Sequence, residues 1–127
     1  MKIVYGLLIV VLIGVFILAK ENKSGSQNEV VSAYDSFAQC LTDAGAKFYG
    51  AYWCPHCQDQ KKLFNDSKNL PYIECSTPDG QGRTKVCIDA GITGYPTWVF
   101  ADGSQENGEQ SLDTLSQKTN CPLTNIQ

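Results

Sequence analysis

Two cysteines separated by two residues stand in the stretch Trp53-Cys54-Pro55-His56-Cys57. A Cys-X-X-Cys pair can close a small disulfide, and the surroundings of such a pair stabilise the reactive thiolate. His56 is the only histidine of the chain and lies inside this ring, where its positive charge or its N–H would stabilise a thiolate. We therefore predict thiol–disulfide exchange, with Cys54 and Cys57 as catalytic residues and with Pro55 and His56 tuning them.

The local pattern predicts where the two cysteines lie. Residues 47–52 are aromatic-rich and strand-like and lead directly into the motif. Pro55 suits the first position of a helix, which makes Cys54 the N-cap. The helix dipole there favours an anion by about 0.3–1 kcal/mol when exposed, and stabilising the thiolate makes the disulfide a better oxidant. We expect Cys54, at an exposed helix tip, to form the mixed disulfide and Cys57 to resolve it, in a couple more oxidising than one with Gly-Pro between its cysteines.

Two other kinds of site use paired cysteines. A purely structural disulfide across so short a ring gains little, because the loop-closure entropy that it removes is small. A zinc site would need more ligands, and Cys75 with Cys87 could supply two, although their separation is unlike that of a paired zinc knuckle. A zinc- or copper-binding module stays the alternative of a different class, and the single methionine, Met1, disfavours the copper version. We predict neither metal nor cofactor.

The cysteine content points to an oxidising compartment. Six cysteines in 127 residues are many for a protein of the reducing cytosol. Their even number suits three disulfides, although cysteine spacing alone cannot choose the pairing. The net charge of −3 argues against a nucleic-acid partner, since binding phosphates normally needs a basic surface.

The N-terminus predicts a membrane anchor. Residues 3–19 form an uncharged apolar run between Lys2 and Lys20, near the short limit for spanning a bilayer. A cleaved signal peptide is the competing interpretation, but Ala19-Lys20-Glu21 is a poor cleavage site. We therefore predict one transmembrane helix at the N-terminus, with the cysteine-rich part on the extracytoplasmic side of the cell membrane, either periplasmic or extracellular. The predicted divisions are an anchor at 1–19, a polar linker at 20–28 and a domain at 29–127.

Hydrophobic periodicity and turn residues predict an alternating order of elements within that domain. The elements are a helix from Glu29 to Gly45, a strand at 47–52, a helix from Pro55 to about Lys68, a strand at 71–75, a loop at 77–82, a short helix at 84–90, a strand at 97–100, a weak polar strand at 104–110 and a last helix capped by Ser111. Alternation followed by a hairpin indicates an α/β fold with one mixed sheet flanked by helices. Trp98 and Phe100 are predicted core residues, and Asp59 and Lys61 are predicted to be solvated.

Three blocks of sequence resemble a known family. FYGAYWCPHC, LPYIECSTPDGQGRTKVC and GITGYPTWVF are similar, in order and spacing, to the thioredoxin-like domain that occurs beside or fused to bacterial vitamin K epoxide reductase homologues. The resemblance covers roughly residues 33–121 and implies a thioredoxin-like fold. It also implies that a membrane protein like vitamin K epoxide reductase reoxidises the cysteine pair.

The resemblance also implies details of the site. It places a cis-proline at Pro96, facing the cysteine pair, so that the backbone of Tyr95 could pair with an extended substrate peptide. Trp53 is predicted either to contact substrate as well or to pack. Many relatives of this fold carry a buried acid six residues before the first cysteine, and Phe48 stands there. The proton acceptor for Cys57 is therefore not predicted.

The other four cysteines are predicted to be structural. The resemblance implies that Cys75 pairs with Cys87. Cys40 ends the first predicted helix and Cys121 follows the last, so a bridge between them would close a long loop. The alternative is that one of these pairs relays electrons to Cys54 and Cys57.

These observations predict a membrane-tethered, extracytoplasmic thiol–disulfide oxidoreductase that oxidises the cysteines of secreted proteins. The alternative with the same chemistry is an anchored reductase for protein or cytochrome maturation.

Overall fold

The structure of the protein is a computed structural model that describes residues 25–126, with side chains from residue 28 onward. The helices are α1 (Gly25–Asp43), α2 (Pro55–Leu63), α3 (Lys85–Asp89) and α4 (Leu112–Thr119), and the strands are β1 (Lys47–Gly50), β2 (Tyr72–Glu74), β3 (Thr97–Val99) and β4 (Gln105–Asn107). The predicted anchor at 1–19 lies outside the described residues. No helix between residues 25 and 126 is long and apolar enough to cross a membrane.

The four strands form one mixed sheet in the order β2-β1-β3-β4. β1 pairs in parallel with β2 and antiparallel with β3, while β3 pairs antiparallel with β4. Side chains alternate between the faces of a strand, so neighbours along β1 belong to different clusters. Phe48 lies in the cluster that contains residues of α1, α2 and α4, whereas Tyr49 lies in the cluster that contains Cys87 of α3. The predicted mixed sheet with helices on both faces is confirmed.

Aromatic rings fill the larger of the two clusters. Phe48 stacks on Trp98 at 4.9 Å between ring centroids, and Phe37 of α1 stacks on Phe64 at 5.7 Å. Both Phe48 and Trp98 are fully buried, so the predicted core position of Trp98 is confirmed, as is that of Phe100 with 6% exposed. This packing fixes β1, which leads into the cysteine pair, and β3, which faces it.

Two helix boundaries differ from the prediction. α1 begins at Gly25 rather than at Glu29, inside the segment predicted as a linker, because each residue added to a formed helix gains one hydrogen bond even without an apolar anchor. α2 ends at Leu63 rather than near Lys68. Asn65 and Asp66 have φ values of 51° and 53°, a left-handed conformation that ends a helix and that Asn and Asp adopt more readily than most residues.

Candidate active site

Cys54 is the N-cap of α2, as the sequence predicts, and Pro55 takes the first helical position. The Cys54 backbone is extended, with φ −79° and ψ 118°, and its carbonyl accepts from the N–H of Gln58. Its Sγ donates to the backbone carbonyl of Tyr95 at 3.8 Å. The prediction of an exposed cysteine is wrong, because Cys54 packs within the larger cluster and is only 6% exposed.

Cys57 lies one helical turn deeper and is 1% exposed. Both residues are free thiols in the structure. Burial, followed by a hydrogen bond with the Cys54 thiol, raises the pKa of Cys57 from 9.0 to about 12, while a backbone hydrogen bond of Ala51 and, to a smaller extent, the charge of Lys61 lower it. Cys57 therefore stays protonated at neutral pH until a reaction removes or displaces its proton. The deeper burial of Cys57 fits the predicted roles, in which Cys54 exchanges with a partner and Cys57 follows.

The polar groups near Cys57 come from α2 and β2. A Cβ added at Gly50 would lie 3.0 Å from the Cys57 Sγ and 2.8 Å from the Tyr72 ring, so sulfur and ring flank this glycine closely. The Tyr72 hydroxyl donates to Oε2 of Glu74 at 2.7 Å, and Nζ of Lys61 lies 3.4 Å above the Tyr72 ring. Burial, with this bond to Glu74, raises the pKa of Tyr72.

The surroundings of Cys57 test two expectations from the sequence, one for Lys61 and one for Phe48. Lys61 is half-buried and covers an aromatic ring, so the prediction of a solvated side chain is wrong for it. Asp59 is exposed, as predicted. Phe48, which stands where the resemblance implies an acid, is part of the aromatic core. The ionisable groups near Cys57 thus lie on its own helix, α2, and on the neighbouring strand, β2, rather than on β1.

His56 pairs with a carboxylate from a distant part of the chain. Its Nδ1 lies 2.5 Å from Oε1 of Glu109, and the two side chains are 71% and 43% exposed. Among the residues that the structure describes, the Cys54 sulfur bonds to the Tyr95 carbonyl and to the Cys57 thiol, whereas His56 bonds to Glu109. The ring that the sequence predicts as a partner of the Cys54 thiolate is therefore bonded to a carboxylate. Nothing in the sequence near His56 signals a partner 53 residues away.

The predicted docking residues lie around the Cys54 sulfur. The Tyr95–Pro96 peptide bond is cis, and Pro96 is fully buried. Trp53 is 49% exposed and stands edge-on to the Tyr95 ring at 6.0 Å, with its indole N–H donating to Ser76 at 2.8 Å. Trp53 is thus both packed and accessible, and its contact with substrate stays a prediction.

The remaining cysteines form two disulfides. Cys40 is bonded to Cys121 and Cys75 to Cys87, with sequence separations of 81 and 12. Both bonds join the cysteines that were predicted to pair. The zinc alternative needs Cys75 and Cys87 as ligands, and their sulfurs are bonded to each other. The arrangement of the described residues therefore favours thiol–disulfide chemistry at Cys54 and Cys57.

Comparison with known proteins agrees with this chemistry. No protein-family model matches the chain. The chain is 42% identical over 94 residues to a protein named thiol-disulfide oxidoreductase LTO1 from Arabidopsis thaliana, in a match that covers 69% of the chain and 24% of the plant protein. It is 31% identical over 97 residues to a protein named thioredoxin domain-containing protein 5 homolog from Drosophila melanogaster, covering 64% of the chain and 22% of the fly protein.

The chain thus spans about a quarter of the length of these curated relatives. The similarity is to a named oxidoreductase and to a named thioredoxin-domain protein, and the fold carries a Cys-X-X-Cys pair at a helix N-terminus beside a cis-proline. The described residues therefore have a thioredoxin-like fold, and they are similar to one part of a named thiol–disulfide oxidoreductase.

Proposed function

We propose that the chain oxidises pairs of cysteines in other proteins through a Cys54–Cys57 disulfide. The single observation that supports this most is the contact of the Cys54 sulfur, at the N-terminus of α2, with the carbonyl of Tyr95 at 3.8 Å, while the Cys57 sulfur is buried one helical turn deeper. This geometry supports Cys54 as the sulfur that exchanges with a partner and Cys57 as the sulfur that leaves and later re-forms the disulfide.

The reaction balances without a cofactor. A substrate thiolate attacks Cys54 in the oxidised pair, a new S–S bond forms, and the bond between Cys54 and Cys57 breaks. Cys57 leaves as a thiolate and takes up a proton, since its pKa lies well above neutral pH. A second substrate thiolate then displaces Cys54, so that the substrate gains a disulfide and the enzyme pair holds the two electrons as thiols. The attacking species at each step is a thiolate.

The extracytoplasmic location and the redox partner are also part of this proposal. The apolar run at 3–19 supports a membrane tether, and the two further disulfides support an oxidising compartment. A membrane protein like vitamin K epoxide reductase would remove the two electrons and restore the disulfide. Support for that partner is the resemblance of the three sequence blocks. The substrates would be cysteine-containing secreted proteins.

A specific observation favours a second direction of electron flow. Glu109 offsets the charge of His56, and a weaker positive charge near Cys54 stabilises the thiolate less, which makes the dithiol a better reductant. The second candidate is therefore an anchored reductase. Trapping free thiols in intact cells separates the two: a mostly oxidised Cys54–Cys57 pair supports the oxidase, and a mostly reduced pair supports the reductase.

The enzymatic proposal is tested with two serine variants. We expect Cys54→Ser to abolish oxidation of a dithiol peptide, because it removes the sulfur that exchanges with substrate. We expect Cys57→Ser, mixed with glutathione disulfide, to accumulate a mixed disulfide between Cys54 and glutathione, with the second glutathione released as a thiol, because the Cys57 thiol that would displace the bound glutathione is absent. Mass spectrometry of the non-reduced product detects that adduct. Unchanged peptide oxidation by Cys54→Ser would refute the proposal.

A further inference from the structure

The contact between His56 and Glu109 is built into the fold. Buried Gln60 lies one helical turn after His56 on α2 and bonds to the backbone of Gln110, which follows Glu109 in the chain. The Gln60 side-chain N–H donates to the Gln110 carbonyl at 3.0 Å, and the Gln60 carbonyl oxygen accepts from the Gln110 N–H at 2.7 Å. The loop that carries Glu109 is thus fastened to the helix that carries His56.

Two more contacts fix the same loop. The side-chain oxygen of Gln60 also accepts from the indole N–H of Trp98 at 3.2 Å, and both Gln60 and Trp98 are fully buried. The N–H of Gly108 donates to the carbonyl of Pro96 at 2.8 Å. The backbone on either side of Glu109 is therefore held by buried groups and by the cis-proline segment, whereas the Glu109 side chain is 43% exposed.

The contact has a chemical consequence at the neighbouring sulfur. An imidazolium that approached Cys54 would stabilise its thiolate and therefore the reduced pair. Bonded through Nδ1 to Glu109, the ring is held toward the loop after β4, where the carboxylate offsets any charge that the ring carries. The reduced pair loses that stabilisation.

We propose that Glu109 is a positioning residue that holds His56 away from Cys54 and so sets the disulfide equilibrium of the Cys54–Cys57 pair. Removing the carboxylate frees the ring to approach the sulfur, and the equilibrium shifts toward the dithiol. This inference rests on the proposed thiol–disulfide function, because it concerns the redox balance of the same pair.

The test is an equilibrium with glutathione. In this reaction the dithiol gives two electrons and two protons to glutathione disulfide, which yields the protein disulfide and two molecules of glutathione. We expect Glu109→Gln, in the full chain at pH 6, to lower the equilibrium constant for protein disulfide formation about threefold, which is about 14 mV at 29.6 mV per tenfold. The substitution removes the charge and keeps the shape of the side chain.

Two controls make the result specific. Glu106→Gln removes a carboxylate from β4 that pairs with Lys118 at 2.6 Å, and we expect it to leave the constant unchanged. His56→Gln removes the imidazole, and we expect Glu109→Gln to have no further effect in that background. No shift in the single variant, or an equal shift with and without His56, would overturn the proposal, because Glu109 would then be inert or would act by its own charge alone.

Failure of the proposed function gives a different result. A chain that does not exchange disulfides with glutathione at all, before any substitution, refutes the function. A chain that exchanges normally but shows no dependence on Glu109 refutes only the role given to that residue.

Discussion

Lys61 stabilises the thiolate of Cys57. Burial has the opposite effect and keeps the thiol of this cysteine protonated. The charge of Lys61 lowers the pKa of Cys57 against the larger effects of burial and of the Cys54 thiol, and its ammonium lies 3.4 Å above the Tyr72 ring. Resolution of a mixed disulfide requires the Cys57 thiolate. The ionisable groups around Cys57 are thus Lys61 and the Tyr72–Glu74 pair. Phe48, which stands where an acid was expected, contributes only packing.

We therefore predict that Lys61→Gln slows the resolution of a mixed disulfide between Cys54 and glutathione by about threefold, the size of effect that exposed or half-exposed charges have. Lys62→Gln is the matched control, because Lys62 is the next residue, is exposed and pairs with Asp59 at 3.0 Å. Rapid-quench kinetics with glutathione disulfide gives both rates. Equal rates in the two variants would contradict the role of Lys61.

The same rate should depend on pH. Since the pKa of Cys57 is raised to about 12, the thiolate fraction increases about tenfold per pH unit from neutral pH up to that value. The resolution rate of the unsubstituted chain should rise accordingly between pH 7 and 9. A rate that levels off below pH 9 would show that Cys57 loses its proton more easily than its burial indicates.

The junction of β1 and α2 shows how much of the site follows from local sequence. The N-cap position of Cys54, the first-turn Pro55 and the cap at Ser111 all depend on residues within a few positions, and each is found as predicted. The contacts of Gln60 with Gln110 and of His56 with Glu109 join residues 50 and 53 positions apart. Only the pairing of β1, β3 and β4 brings these together, so no local pattern could have predicted them.

Gly50 ends β1 and provides a prediction at this junction. A methyl group there would lie 2.8 Å from the Tyr72 ring, which is closer than real Cβ atoms come to other heavy atoms, and 3.0 Å from the Cys57 sulfur, which is tighter than most real Cβ contacts. We predict that Gly50→Ala destabilises the domain by about 1–3 kcal/mol, the usual cost of overpacking. Urea unfolding of the reduced chain measures this free energy.

Gly94→Ala is the matched control for that substitution. A Cβ at Gly94 meets nothing within 4 Å, so this variant should be neutral or slightly stabilised by the lower entropy of its unfolded chain. If the two alanine variants unfolded at the same urea concentration, the close approach of Tyr72 and Cys57 at Gly50 would not constrain the fold.

At the scale of the whole domain, each face of the sheet has its own disulfide. Cys121 lies in the aromatic cluster and Cys40 packs against it, whereas Cys75 and Cys87 both lie in the smaller cluster on the other face. The disulfide at the larger cluster joins α1 to the C-terminal segment, and the disulfide in the smaller cluster secures the loop between β2 and α3. The two bonds therefore constrain very different lengths of chain, 81 and 12 residues in sequence separation.

This difference predicts unequal losses of stability. In the chain-entropy model, the bond that closes the long loop contributes about 4.5 kcal/mol and the bond that closes the short loop about 3 kcal/mol. We expect the double variant Cys40→Ala/Cys121→Ala to lose more free energy of unfolding than Cys75→Ala/Cys87→Ala, as measured by urea denaturation with the Cys54–Cys57 pair reduced in both. An equal loss would mean that local packing rather than loop length governs their contribution. Loss of glutathione exchange in a folded variant would instead support an electron relay to Cys54, because a purely structural bond affects folding and leaves the exchange at α2 intact.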